Sequence, residues 1–182
     1  MVLDPKCVRR AQQPYAAIRA DVTTSTLEQE GARLLEAVGL WFGLHEFLPG
    51  GPPLRRYLVV GTGTRLQVDV GYPVAAAALP MLLDAVDGHQ NVHVEEVPFA
   101  VRTGWVPEGM YAWVMHEGEL DDLQETRDML LWWVTAHGYE LDRWHTDRGA
   151  VWGGRIEYDL TGGPPEGEED QVSRIELAYR LA

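Results

Sequence analysis

The stretch QPYAAIRADVTTSTLEQEGARLLEAV, residues 13–38, returns 96 residues later as GMYAWVMHEGELDDLQETRDMLLWWV, residues 109–134. Six of the 26 positions are identical: Tyr15 and Ala16 recur as Tyr111 and Ala112, Leu27 as Leu123, Leu34 and Leu35 as Leu130 and Leu131, and Val38 as Val134. Helix-spaced leucines align easily by accident, but the Tyr-Ala pair lies ahead of each helix. The match predicts an internal repeat in which an extended segment leads into an amphipathic helix.

The remaining elements arrange themselves around these two copies. Lys6 to Arg19 is β-like, interrupted by the turn-prone Gln12-Gln13-Pro14. Thr23-Thr24-Ser25-Thr26 supplies capping residues, and Leu27, Glu30, Leu34, Val38 and Trp41 follow at helical spacing. Pro49-Gly50-Gly51-Pro52-Pro53 then forbids continuation of that helix. Leu54–Val60 and Arg65–Tyr72, joined by Gly61-Thr62-Gly63-Thr64, read as a hairpin. A short helix is expected around Leu79–Val86, and strands at Val92–Val97, Ala100–Val106 and Tyr111–His116. The second long helix runs from about Glu119 to Ala136 and stops at Gly138. Strands Ala150–Thr161 and Val172–Leu181 close the chain, with a polar loop from Gly162 to Asp170 between them. Each half thus reads strand, helix, strand, strand. The first unit covers residues 6–74, the second 92–182, and 75–91 connects them. Paired βαββ units bury both helices against one shared antiparallel sheet, an α+β architecture within a single domain.

At 182 residues, with 46% hydrophobic and 24% charged side chains, the chain has the composition of an ordinary globular domain. Its formal charge is −13. Residues 1–91 carry eight basic and nine acidic side chains, and residues 92–182 carry seven and nineteen. A field of that sign repels phosphate backbones and concentrates cations, so direct nucleic-acid binding is disfavoured. The single cysteine, Cys7, precludes an internal disulfide and fits a cytoplasmic setting. No apolar run is long enough for a membrane span, and Met1–Arg10 lacks the apolar segment of a signal peptide.

Most catalytic templates fail on inventory. The two serines, Ser25 and Ser173, stand in a cap and beside a strand. Gly61-Thr62-Gly63 leads into a strand, so it offers no helix N-terminus to a phosphate. His89 and His93 have helical ligand spacing, but in a segment read as loop turning into strand; no metal and no cofactor is expected. His116 and His137 read as structural.

Six of the seven tryptophans (Trp105, Trp113, Trp132, Trp133, Trp144 and Trp152) fall in the acidic half. Singly they suit ordinary core packing; as a group they suggest a partly aromatic cavity, and aromatic faces attract cations. Period-two alternation puts Arg155, Glu157 and Asp159 on one side of their strand and Ile156, Tyr158 and Leu160 on the other. Two readings of the first side remain open. It lines a groove, making Glu157 a partly buried carboxylate that favours a cation, or it faces solvent with Arg155 neutralising its neighbours.

Several short motifs point further. Tyr15-Ala16-Ala17-Ile18-Arg19 opens the first unit, and Pro107-Glu108-Gly109-Met110-Tyr111-Ala112 the second, followed by His116-Glu117-Gly118. Trp133 precedes Gly138 by five residues, and Glu157 begins a Glu-x-x-Leu-Thr strand ending at Thr161. In this order, and with the repeat, the chain resembles the GyrI-like family, which includes effector-binding domains of MerR- and AraC-type multidrug-responsive regulators.

The resemblance implies two pseudo-symmetric βαββ modules forming a mostly antiparallel sheet, with the two long helices flanking a central cleft. It implies that the cleft binds lipophilic, often cationic or planar aromatic small molecules over an acidic residue, which by motif position is Glu157. Tyr111, Trp113, Trp133 and Trp152 are then the candidate aromatic walls. Asp159 stands where the family often has tyrosine, and the longer segment from Pro73 to Asn91 is expected to cover the cleft. Met1–Lys6 leaves no room for a helix-turn-helix ahead of the first strand, so a stand-alone member is expected.

Three functions compete: a binding protein for lipophilic cations, a hydrolase of cyclopropane-containing toxins with Glu157 as general base, and a protein-interaction module of gyrase-inhibitor type. The third would use the acidic stretches Glu119–Asp128 and Glu166–Asp170.

Overall fold

Strands and helices alternate through the computed structural model, which describes residues 4–161 and 172–182. In chain order they are β1 (Lys6–Arg10), β2 (Gln13–Thr23), α1 (Leu27–Leu44), β3 (Leu54–Val60), β4 (Arg65–Pro73), α2 (Leu79–His89), β5 (Asn91–Val94), β6 (Val97–Val106), β7 (Gly109–Gly118), α3 (Leu123–Ala136), β8 (Arg143–Thr146), β9 (Gly149–Asp159) and β10 (Ser173–Arg180). The acidic segment Glu166–Asp170 lies outside the described residues. Short 3₁₀ turns precede α2 and α3. β8, which no sequence signal marked, forms a hairpin with β9; its four residues are all exposed, so no alternation betrays it.

The sheet runs β1-β7-β10-β9-β3-β4-β2-β6-β5, and every pairing is antiparallel. Outward from the central β9·β3 pair, β10 mirrors β4 and β7 mirrors β2. The two βαββ modules, β2-α1-β3-β4 and β7-α3-β9-β10, with the short β8 inserted before β9, thus meet through β3 and β9. Their flanks are exchanged: β1 leads into β2 but pairs with β7, and β6 leads into β7 but pairs with β2. Both pairs keep one register from Lys6↔Trp113 to Ile18↔Val101. This ribbon ties the modules together a second time.

Alternation along the strands separates three apolar clusters. Ala16, Ile18, Val68 and Val70 join Leu34, Val38 and Trp41 of α1. Ala112, Val114, Leu177 and Tyr179 join Leu123, Leu130 and Val134 of α3. On the opposite face Tyr15, Ala17, Leu54, Tyr111, Ile156 and Tyr158 bury one another with no helix over them.

Local chemistry sets the helices. The hydroxyls of Thr23, Ser25 and Thr26 bond one another in the turn before α1 rather than capping its first amides. Before α3, His116 at the end of β7 bonds Thr126 Oγ1 at 2.8 Å and the Glu119 carbonyl at 3.0 Å. His116 and Thr126 are both buried, so α3 is pinned to β7. The segment 75–91 does not cover the cleft. Leu82 of α2 sits in the α1 core, and Trp41 Nε1 donates to the His89 carbonyl at 2.8 Å, which docks α2 beside α1 instead.

Candidate functional site

The cleft lies on the helix face of the sheet above the central β3·β9 pair. Its cavity, about 320 Å³, is bounded by Gly31, Ala32 and Leu35 of α1, by Leu54 and Arg55 of β3, and on the far side by Glu157 of β9. Small residues on α1 leave the space: a Cβ on Gly31 would sit 3.5 Å from the Arg55 guanidinium. In the register of the sequence repeat, the residue matching Gly31 is Arg127 on α3. One helix leaves a gap where the other carries a long cation.

Glu157 is 3% exposed and faces the helices, so of the two readings left open by alternation its side lines the groove and does not face solvent. Its carboxylate accepts three hydrogen bonds. Arg127 donates through Nε to Oε1 at 2.8 Å and through Nη2 to Oε2 at 2.7 Å, and the Tyr57 hydroxyl donates to Oε2 at 2.9 Å. Arg127 Nη2 also donates to the Tyr57 oxygen at 3.1 Å. Burial pushes the Glu157 carboxyl up, but the bidentate arginine, the charge of Arg155 and the Tyr57 hydroxyl outweigh it and hold it below the usual carboxylate range. Burial beside this carboxylate drives the Tyr57 hydroxyl well above the ordinary phenol value. Burial likewise carries Tyr179 up to about 12.

Beside the ion pair, the Arg155 guanidinium carbon lies 4.6 Å from the Tyr57 ring centre, 4.9 Å from that of Tyr179 and 5.1 Å from that of Trp152. An aromatic cage is therefore present, and the protein's own arginine occupies it. Directly across the ladder from Glu157 stands Arg55, held by Glu28 of α1 through two bonds of 2.6 Å. Four alternating charges, Glu28, Arg55, Glu157 and Arg127, thus cross the cleft floor from one helix to the other.

Of the sequence candidates, Glu157 and Trp152 join this constellation, whereas Tyr111, Trp113 and Trp133 do not. Ala112 and Val114 point toward α3, so Tyr111 and Trp113 point to the opposite face. There Tyr111 donates to the Pro107 carbonyl at 2.7 Å, and Lys6 covers the Trp113 ring. Trp133 stacks on His137 and Tyr139 at the end of α3, outside the cleft lining. Trp152 reaches the cage because β9 takes four steps, Val151 to Arg155, where β3 takes two, Val59 to Tyr57. This bulge contains Gly153, where a Cβ would lie 1.9 Å from Asp142 Oδ2, so a side chain there would have to displace the Asp142 carboxylate.

Tyr57, Arg127, Arg155, Arg55 and Tyr179 were not singled out from sequence as site residues. One signal was available: Arg127 is the only basic residue among the acids that open the second helix.

An all-antiparallel sheet with the long helices α1 and α3 and the shorter α2 on one face, built from paired βαββ modules around a central cleft, defines the class of fold. Solved structures share it. The C-terminal domain of EcmrR aligns over 100% of this chain and 99% of that one, at 14% identity and a TM-score of 0.61. EcmrR in its complex with DNA aligns over 98% of this chain at 12% identity and 0.64; the present chain spans 57% of that protein's length. SAV2435 bound to tetraphenylphosphonium aligns over 98% and 94% of the two chains at 9% identity and 0.53. No family model matches the chain, and no curated protein matches it. Among the described residues no helix is long and apolar enough to cross a membrane.

Proposed function

We propose that this protein is a small-molecule-binding module of regulator type that takes lipophilic, cationic aromatic compounds into the cleft between α1 and α3. The observation that carries the reading is Glu157: a carboxylate 3% exposed, kept ionised, at the wall of a half-apolar cavity. A desolvated carboxylate is a strong attractor for a cation that brings little hydration of its own. SAV2435, which shares the fold, binds a cation of this kind, and that supports the ligand class. Within this reading residues 6–74 and 92–182 are the two modules of one domain, joined by 75–91.

Hydrolysis with Glu157 as general base receives less support. Both carboxylate oxygens are bonded, and a depressed pKa makes a weak base. For a protein-interaction role, the acidic stretches at Glu119–Asp128 need no explanation beyond solvation and the helix dipole.

The test compares two ions of one shape, tetraphenylphosphonium and tetraphenylborate. Glu157→Gln is expected to weaken the cation by about tenfold or more and to leave the anion unchanged or tighter. Equal changes for both ions would remove Glu157 from the recognition.

A further inference from the structure

On the reading of the cleft given above, we propose that Arg127 is its specificity-determining residue, an internal competitor that holds the place on Glu157 a ligand's cationic group must take. Arg127 bonds both oxygens of Glu157 at 2.7 and 2.8 Å and Tyr57 bonds Oε2, so three of the four lone-pair directions of the carboxylate are taken and its charge is matched by the guanidinium. With Glu157 paired to Arg127 and Arg155 filling the aromatic cage, the closed site offers a cation no unpaired buried carboxylate. Once Arg127 leaves, Glu157 balances Arg155 and offers one oxygen face to the cavity.

Arg127 is suited to leave. Its side chain is 14% exposed against 3% for Glu157, and it stands on α3, while Glu157 is fixed in the central strand pair. An arginine that swings toward solvent recovers hydration, and the acids near the start of α3 receive it; Gln124 Oε1 already lies 3.5 Å from its Nη1. The matching position on α1 is Gly31, which lines the cavity, so one helix leaves space where the other carries the cation that holds Glu157. Compact hydrated cations gain too little to displace a bidentate arginine. Weakly hydrated cations with aromatic groups gain apolar contact with Leu35, Val70 and Ile175 as well. Arg127 thereby selects the lipophilic class.

The experiment measures tetraphenylphosphonium and tetraphenylborate affinities for the whole protein and for Arg127→Gln, Arg127→Lys and Glu157→Gln. Arg127→Gln is expected to tighten the cation by about tenfold or more and to weaken the anion, with Arg127→Lys intermediate because one ammonium replaces a two-point fork. Should Arg127→Gln fail to fold, Arg127→Lys reads the same ratio. An independent readout is the Arg127 Nε–H resonance in the wild-type protein, expected to be protected when free and to lose that protection at saturation with tetraphenylphosphonium. If cation binding depends on Glu157 but neither Arg127 variant shifts the cation-to-anion ratio, the competitor role is wrong and the ligand class stands. If Glu157→Gln leaves cation binding unchanged, the ligand class itself is wrong.

Discussion

Glu157 and Arg127 form a pair whose partners are unequal in burial, and this makes the carboxylate a site of pH-dependent stability. Its pKa is lowered on folding, so its contribution is fully present above the unfolded value of 4.5 and is lost as pH falls through the lower folded value. Thermal melts between about pH 6 and about pH 3 should show a stability loss in the wild type that Glu157→Gln does not share. At neutral pH the same substitution leaves Arg127 without its counter-ion and should cost about 3 kcal/mol in chemical denaturation. A flat difference between the two proteins across this range would mean that the pair contributes nothing net. Asp69 forms a second buried centre on the other face: Arg19 donates to it at 2.7 and 2.9 Å and Tyr15 at 2.7 Å. That network joins β2 to β4.

Helix α1 carries more glycine than its stability wants. Gly31 has a function in leaving the cleft open, but Gly39 is exposed and nothing lies within 4 Å of the Cβ it lacks. Gly39→Ala should therefore stabilise the protein by about 0.8 kcal/mol, read as a raised denaturation midpoint with an unchanged slope. Gly31 and Arg127 at matched positions explain why two helices with similar apolar faces do different things. Both bury leucines on the sheet at the same spacing; one makes the wall of a cavity and the other supplies the cation that holds Glu157. The 3₁₀ turn at Leu120–Asp122 and the bond from His116 to Thr126 set the phase of α3, and Arg127 follows directly after that anchor.

The two modules share the β3·β9 ladder at the centre and the exchanged β1·β7 and β2·β6 ribbon at the flank. With two connections of this kind neither module can lose its strands without exposing apolar face on the other. Calorimetry should show one unfolding transition, with the calorimetric enthalpy equal to the van 't Hoff value. Two resolved transitions would make the modules independent. The formal charge of −13 acts at this scale too, as a diffuse field rather than as a site.

The hydrophobic periodicities determined the two helices, most of the strands, the βαββ grouping and the side of β9 on which Glu157 lies. These depend on neighbours a few residues apart, where backbone geometry alone decides the face. Trp152 escaped that logic because a bulge shifts the alternation of β9, and a bulge is chosen by the close approach of Asp142 to Gly153, eleven residues apart in sequence. The faces of Tyr111 and Trp113 followed from alternation once β7 was placed against α3. Which arginine neutralises Glu157, and which one fills the aromatic cage, was decided by tertiary structure alone. Residue 127 on a helix and residue 157 on a strand meet only when the helix phase, the strand register and the packing angle are all fixed together. An ion pair of this kind has no sequence period, since it depends on distances that only the assembled sheet and helix define.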